Sequence, residues 1–383
     1  MMRLTKNEVR SVWDQDKKRD RRQFWLIFGA FILVFLLCLS FRAYAYAYPE
    51  KFVPGAHFKS YFTMLRMGIA KLVDPVTYAG KDAVIEGIGV YLYGSAVTRL
   101  KITVMSALAG AGTAAAGAVF QTIYKNPMAS PGMLGATAGV RIGNILMITL
   151  FSAQALEMVT RRYIYCYAFT AVCVGAVLLL GRLSGDKKGN PSVMKMVMAG
   201  SVISQGLNVF VLYYMYNLTD ENLLIYQQLT MGTNLVYDDL SVFIFLGVMA
   251  VSLIPVLLLR YRFNAAALDN TEAVAAGVNA GGLRIIGQVC AAVMAAGAMI
   301  HCGDTGMIGM MIPYWISGRV GANTKKVIVF SALAGAMLMM VSRLITTMFY
   351  IEEVEVPVSF FINIALTPAF LIMMAKNRRG FEE

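Results

Sequence analysis

Ala107-Leu-Ala-Gly-Ala-Gly-Thr-Ala-Ala-Ala-Gly-Ala-Val-Phe-Gln121, continued by Asn126-Pro127-Met128-Ala129-Ser130-Pro131 and Leu134-Gly135, is the stretch on which the fold turns. Its first part sits inside an apolar run from Ile102 to Ile123. About 20 such residues, at about 1.5 Å of helical rise each, match a hydrocarbon core of about 30 Å. Crowded Gly and Ala remove side-chain bulk, so close contact with neighbouring helices is expected along this run.

The chain outside this stretch has the same character. Of its 383 residues, 58% are hydrophobic and 15% charged, against about 45 to 50% and about 25% in a water-soluble domain. One aqueous core cannot hide that excess, and the bilayer is the expected solvent. Ten apolar runs qualify as spans: Phe24 to Phe41, Ile102 to Ile123, Gly132 to Phe151, Tyr163 to Arg182, Val193 to Tyr216, Leu240 to Leu259, Leu283 to Ile300, Gly306 to Ile316, Val327 to Phe349 and Pro357 to Ala375. The eighth is short, and the adjoining His301-Cys302-Gly303-Asp304 is expected to enter the membrane as loop. The fold class is all-α, a polytopic membrane protein of about ten transmembrane helices.

An even number of spans puts both termini on one side. The first 22 residues carry eight basic groups, and Lys187-Lys188, Arg260 to Arg262, Arg319 to Lys326 and Lys376 to Arg379 add more on that side. Acidic loops at Asp220-Glu221, Asp238-Asp239 and Glu352 to Glu355 lie opposite. Both termini are therefore expected in the cytoplasm, with the chain multi-pass in a bacterial-type cytoplasmic membrane. Topology accounts for the net charge of +12 without nucleic acid as a partner. Residues 1–23 read as a basic extension, 24–375 as one transmembrane domain with an outer segment at 43–98 and a cytoplasmic segment at 261–282, and 376–383 as a tail. The first run reads as a retained anchor, because bulky Phe and Arg stand where a small-residue cleavage site would follow a signal peptide.

No segment ends in the Gly-Lys-Ser/Thr of a phosphate loop, so the chain is not expected to hydrolyse ATP itself. Its two histidines, His57 and His301, are far apart and no serine carries a nucleophile motif. No catalytic residue, cofactor or metal centre is expected. Five cysteines, scattered mainly through apolar runs, read as small membrane hydrophobes. Cys302 beside His301 is weighed as a soft metal contact against an ordinary loop pair. All 22 carboxylates are expected in loops or termini, which counts against a proton-coupled carrier built on an intramembrane Asp or Glu.

What the spans do carry is polar residues at helical spacing, and an unpaired polar group in hydrocarbon is costly. Ser201, Ser204, Gln205 and Asn208 fall at i, i+3, i+4 and i+7 in the fifth span. Ser359, Asn363 and Thr367 repeat every four residues in the tenth. Both stripes are read as the walls of a wet pathway of weak contacts. The second span offers Ser106, Gly110, Thr113, Gly117 and Gln121, divided between helix packing and a path role. Arg343 is expected to snorkel to the outer surface; Arg141 is either a path-lining cation, a snorkel or the partner of an interhelical carbonyl. The many methionines read as fillers of irregular helix contacts.

The Gly/Ala-rich helix ending in Gln121, the turn Asn126, Pro127, Ala129, Pro131 and the following Gly135 resemble the permeases of iron-siderophore, haem and vitamin B12 ABC importers. Gly277-Val278-Asn279 resembles the end of that family's cytoplasmic segment. Gly303, Gly306, Gly309 and Pro313 are similar to its Gly-rich motif, and Glu355, Pro357 and Pro368 to its last outer loop and helix. The resemblance implies a type II ABC importer permease fold. It further implies a partner permease copy or paralogue, two ATP-binding subunits and an extracytoplasmic substrate-binding protein.

By the same resemblance, Gln121 and the two polar stripes line the path; Asp269, Asn270, Thr271, Glu272, Ala273 and Gly277 couple to the ATPase; and Arg99 and Lys101 dock the binding protein. Departures occur at Asp304 for Pro, Tyr314 for His, Ser359 and Leu366 for Gly, and Val274 for Arg. Two alternatives stand beside this reading: a secondary transporter outside the ABC class, and a structural paralogue that only completes a permease heterodimer.

Overall fold

The computed structural model describes residues 6–40, 83–151, 159–183, 193–232, 239–266, 278–321, 323–346, 350–351 and 354–376. Among them run twelve α-helices: α1 Lys6–Ser40, α2 Ala83–Tyr124, α3 Ala136–Phe151, α4 Val159–Leu183, α5 Val193–Tyr216, α6 Asp220–Met231, α7 Asp239–Leu258, α8 Arg260–Ala266, α9 Ala280–Cys302, α10 Ile308–Val320, α11 Thr324–Thr346 and α12 Val358–Lys376. A 3-10 turn, Pro131–Leu134, precedes α3, and a two-residue antiparallel pair, Tyr350–Ile351 with Val354–Glu355, precedes α12. Each of the ten expected spans contains one of these helices; among the described residues six, α1, α2, α4, α7, α9 and α11, are long and apolar enough to cross a membrane, whereas α3 and α10, like α6 and α8, are shorter.

Several boundaries differ from those expected. The first helix reaches back to Lys6 through the basic extension, and the second begins at Ala83, well outside the apolar run. The third span is broken, because Gly135 adopts a left-handed φ of 75° that ends the 3-10 turn and re-aims the chain into α3. His301 and Cys302 are still helical, so only the backbone after Cys302 is loop, and it lies inside the bundle. Not every carboxylate is in a loop or terminus: Asp220 and Glu221 open α6, where the N-cap Thr219 and the helix dipole favour negative charge, and Asp239 opens α7.

Helix α2 is the axis of the bundle, flanked by α7, α9, α10 and α11. Its glycines make this possible. A Cβ at Gly110 would collide with the Gly335 carbonyl of α11, and one at Gly117 with the Gly309 carbonyl of α10. In lipid, where apolar burial alone does not drive helices together, this backbone contact and its dispersion energy hold the crossing. Hydroxyls that would otherwise be orphaned bond their own helix, as Thr122 to the Ala118 carbonyl at 2.9 Å and Thr346 to that of Ser342 at 2.9 Å. The outermost helix, α1, lies on α11 through a ladder of Phe24, Phe28, Phe31 and Phe35, with Phe24 reaching Phe330. Asp20 and Lys326 form an ion pair beside the N-terminus of α11.

Candidate translocation pathway

The α5 stripe lies at the edge of that helix's open face. Ser201 and Gln205 are exposed, whereas Ser204 and Asn208 are half-buried. The 3-10 turn packs here: a Cβ at Gly200 would meet the Met133 carbonyl, and one at Gly135 would touch Ser204 Oγ. Because α3 therefore starts beside Ser204, its Arg141 stands level with Asn208 and donates to Asn208 Oδ1 at 3.4 Å. Of the alternatives for Arg141, an interhelical carbonyl partner is found, supplied by the side-chain amide of Asn208 and not by the backbone.

On α12, Ser359 and Asn363 are half-buried and Thr367 is exposed. Asn363 Oδ1 accepts the Met307 N–H at 3.3 Å, so it caps the N-terminus of α10, whose first N–H groups would otherwise be orphaned within the membrane. Thr367 donates to the Met307 sulfur at 3.7 Å. Helix α12 packs on α10 and α11, and α5 on α3, α4 and the 3-10 turn. The two stripes thus occupy different flanks of one copy.

The motif residues converge on the opposite side of α10. Gly309 seats against Gly117 and Thr113, with Pro131 alongside. Gln121 Nε2 donates to the Met310 carbonyl at 2.7 Å, a tie between α2 and α10. Gly303 and Gly232 approach backbone to backbone, and Gly306, at φ 54°, leaves room for Asn363. Asp304, which stands where the family shows Pro, accepts from the Gly306 N–H at 3.0 Å and donates its own N–H to the Thr230 carbonyl at 3.0 Å. In the turn after α2, Asn126 Oδ1 accepts the Met128 N–H at 2.9 Å; Pro127 is exposed, and Ala129, Pro131 and Pro313 are buried.

At the end of the bundle expected to face outward, Arg99 is only 6% exposed and faces a narrow cleft shared with Cys38, Ser106 and Arg343. Lys101 is half-buried and pairs with Asp239 at 2.7 Å. Arg343 does not snorkel: it is 5% exposed and donates to the Gly232 carbonyl at 2.7 Å, at the C-terminus of α6. Sequence reasoning passed over Arg162, 6% exposed, which donates to Asn144 Oδ1 at 3.1 Å and to the Ile300 and Leu229 carbonyls at 2.6 and 3.4 Å. Its guanidinium sits at the C-terminal ends of α9 and α6, where the helix dipoles favour a cation. The signal was present: Arg162, Cys166 and Thr170 fall on one face at i, i+4 and i+8, and all three are buried. His301 is stacked between Tyr163 and Phe245, at 4.4 and 4.6 Å between ring centroids, while Cys302 Sγ donates to the Met105 carbonyl at 3.4 Å. The two side chains turn to different neighbours, which favours the ordinary pair over a shared metal.

The expected coupling residues Asp269, Asn270, Thr271, Glu272, Ala273 and Gly277 lie outside the described residues. Both flanks of that segment are tied down. Asn264 Oδ1 accepts the Thr324 N–H at 2.9 Å, and Asn279 Oδ1 caps α9 through the Gly282 N–H at 3.0 Å.

Comparison with known proteins agrees with this architecture. A Helicobacter pylori protein described as "Probable iron chelatin transport system permease protein" is 27% identical over 284 residues, 73% of this chain and 82% of that protein. The molybdate import system permease protein MolB of Haemophilus influenzae is 26% identical over 278 residues, 71% and 77% of the two chains. A solved chain assigned to a metal-chelate type ABC transporter in an inward-facing conformation shares the fold at a TM-score of 0.64, with 24% identity, over 73% of this chain and 87% of that one. Residues 92–376 match the FecCD transport family, from the upper part of α2 to the end of α12. The chain belongs to the FecCD transport family, the permease family that its glycine helix and its Asn126 to Pro131 turn resemble.

Proposed function

We propose that this chain is the membrane permease subunit of an ABC importer, forming the translocation path for an iron chelate, a haem or a cobamide. In this reading separate ATPase subunits supply the energy, and a binding protein delivers substrate from outside. The observation that carries it is the pair of polar stripes on α5 and α12, open on the flanks of a bundle whose core is closed by glycine contacts. A single copy does not bring them together, so a second permease, identical or paralogous, is required to enclose a lumen between them. Weak amide and hydroxyl contacts along such a lumen let a polar cargo pass without being trapped.

The remaining roles follow. Asp269 to Gly277 would contact the ATPase, and the anchored Asn264 and Asn279 on either side would carry its movement into α11 and α9. Lys101 would exchange Asp239 for an acidic side chain of the binding protein, and Arg99 would join it if docking widens the cleft. The ATP-driven cycle opens the lumen alternately to each side. The test is uptake by the reconstituted transporter carrying Asn208→Leu with Asn363→Leu. Loss of uptake with ATP hydrolysis retained is expected, and undiminished uptake removes the lumen assignment.

A further inference from the structure

We infer that Arg141 is a specificity-determining residue of the path, one that makes the lumen electropositive and selects anionic metal chelates over neutral or cationic ones. The inference rests on the lumen reading above and adds to it the charge of the cargo.

Depth comes first. Gly135 adjoins Ser204, eleven residues into α5 from Val193, or about 16 Å along the helix. Asn208, which holds Arg141, is one further turn on, about 22 Å from that end. Asn208 is also eight residues, about 12 Å, from the Tyr216 end, so the guanidinium lies within the apolar span and too far from the helix start to reach the cytoplasm. A charge at such depth requires compensation, from a partner or from water in a cavity.

Its partner does not neutralise it. Among the described residues Arg141 makes one hydrogen bond, at 3.4 Å, to a neutral amide. The other arginines buried in the bundle are differently placed, both at helix C-termini. Arg162 has two helix-end carbonyls and Asn144, and Arg343 has the Gly232 carbonyl. Nor do the surrounding helices bring a carboxylate to it: α3, α4, α5 and α9 contain none over their whole lengths, and Asp220 and Glu221 of α6 are exposed. Asn208 stands at the edge of the open face that carries Ser201 and Gln205. A single cation at that edge, backed by neutral hydroxyls and amides, attracts an anion at long range but offers too few ligands to hold it.

The test measures local potential and needs no knowledge of the cargo. Gln205→Cys, three residues from Asn208 on the stripe, is introduced into the full transporter in liposomes with Cys290→Ser, since the other four cysteines are buried. Modification rates of the introduced thiol are compared for a negatively and a positively charged methanethiosulfonate. Replacing Arg141 by Gln is expected to lower the anion-to-cation rate ratio about fivefold, because one charge acts with opposite sign on the two reagents. Arg141→Lys is expected to restore the ratio. If the introduced thiol reacts with both reagents and Arg141→Gln leaves the ratio unchanged, the inference is overturned while the lumen stands. If neither reagent reaches that thiol, the lumen itself is refuted, and the inference with it.

Discussion

Arg162 offers a quantitative test of how one end of the bundle is held together, because two substitutions there should act in an order that simple conservatism does not suggest. Its Nε reaches Asn144 at 3.1 Å and its Nη2 the Ile300 carbonyl at 2.6 Å, with Leu229 at the long end of hydrogen-bond range. Hydrogen bonds to a charged donor contribute about 1.5 to 3 kcal/mol each. In Arg162→Met those are lost, but the charge no longer has to be kept out of water, which returns several kcal/mol, so the net cost is about 1 to 2 kcal/mol. In Arg162→Lys the charge remains buried. A single ammonium cannot fork between Asn144 on α3 and the carbonyls of α9 and α6, so the expected loss is larger, about 3 kcal/mol.

Hydrogen exchange of the α6 amides reads this directly. That short helix is held at its C-terminus by Arg162, by Arg343 and by the Asp304 N–H on the Thr230 carbonyl. Local opening eased by about 3 kcal/mol speeds exchange about a hundredfold, so the Lys variant should exceed the Met variant, and both the native chain. Thermal melting in detergent should rank them the same way. An Arg162→Lys chain whose α6 exchanges like the native one would show that charge alone, without the forked geometry, secures this end.

Two further predictions follow from the packing. Gly117→Leu drives a side chain into the Gly309 carbonyl and should lower stability by at least the 1 to 3 kcal/mol or so typical of overpacking, with a depressed melting temperature in detergent; a native-like melt would show that α2 and α10 are not in backbone contact. Asp239→Asn removes the ion pair with Lys101, but Asp239 is 79% exposed on its side chain, so the melting temperature should move by no more than the equivalent of about 1 kcal/mol.

The spans and the packing role of the glycines were legible because both depend on short-range pattern. Hydropathy over 20 residues needs no knowledge of neighbours, and a Gly/Ala helix must be crossed closely by something. The partner of each polar group was not legible. Arg343 reads as a snorkelling cation near a helix end, and only the fold brings to it the Gly232 carbonyl, 111 residues away in sequence. Nothing local separates Arg162 from the adjacent Arg161, yet Arg161 is exposed with its guanidinium over the Phe151 ring while Arg162 is buried among helix ends. The break at Gly135 was masked by the apolar residues on both sides, although Pro131 and Gly135 together are what a 3-10 turn with a left-handed end requires. Both stripes do lie on helices, α5 and α12, but Asn363 serves Met307 in a way that no periodicity could disclose.

The distribution of close and open contacts constrains how the proposed cycle can run. Gly110 with Gly335 and Gly117 with Gly309 bring α2, α11 and α10 to backbone distance. Side chains cannot yield there, because none intervene, and packed cores of this kind switch between discrete arrangements and do not stretch. Helix α5 meets its neighbours through Ser204, Asn208, an apolar patch of Leu207, Val211, Tyr214 and Met215, and Gly200 on the 3-10 turn, while much of the rest of its surface is open. Motion is therefore cheapest on the flanks, with α2, α10 and α11 moving as one body. On the proposed reading the lumen opens by displacement of α5 and α12 between two copies, and Asn363, which belongs both to the α12 stripe and to the cap of α10, is the residue through which the rigid body and the path wall act on each other.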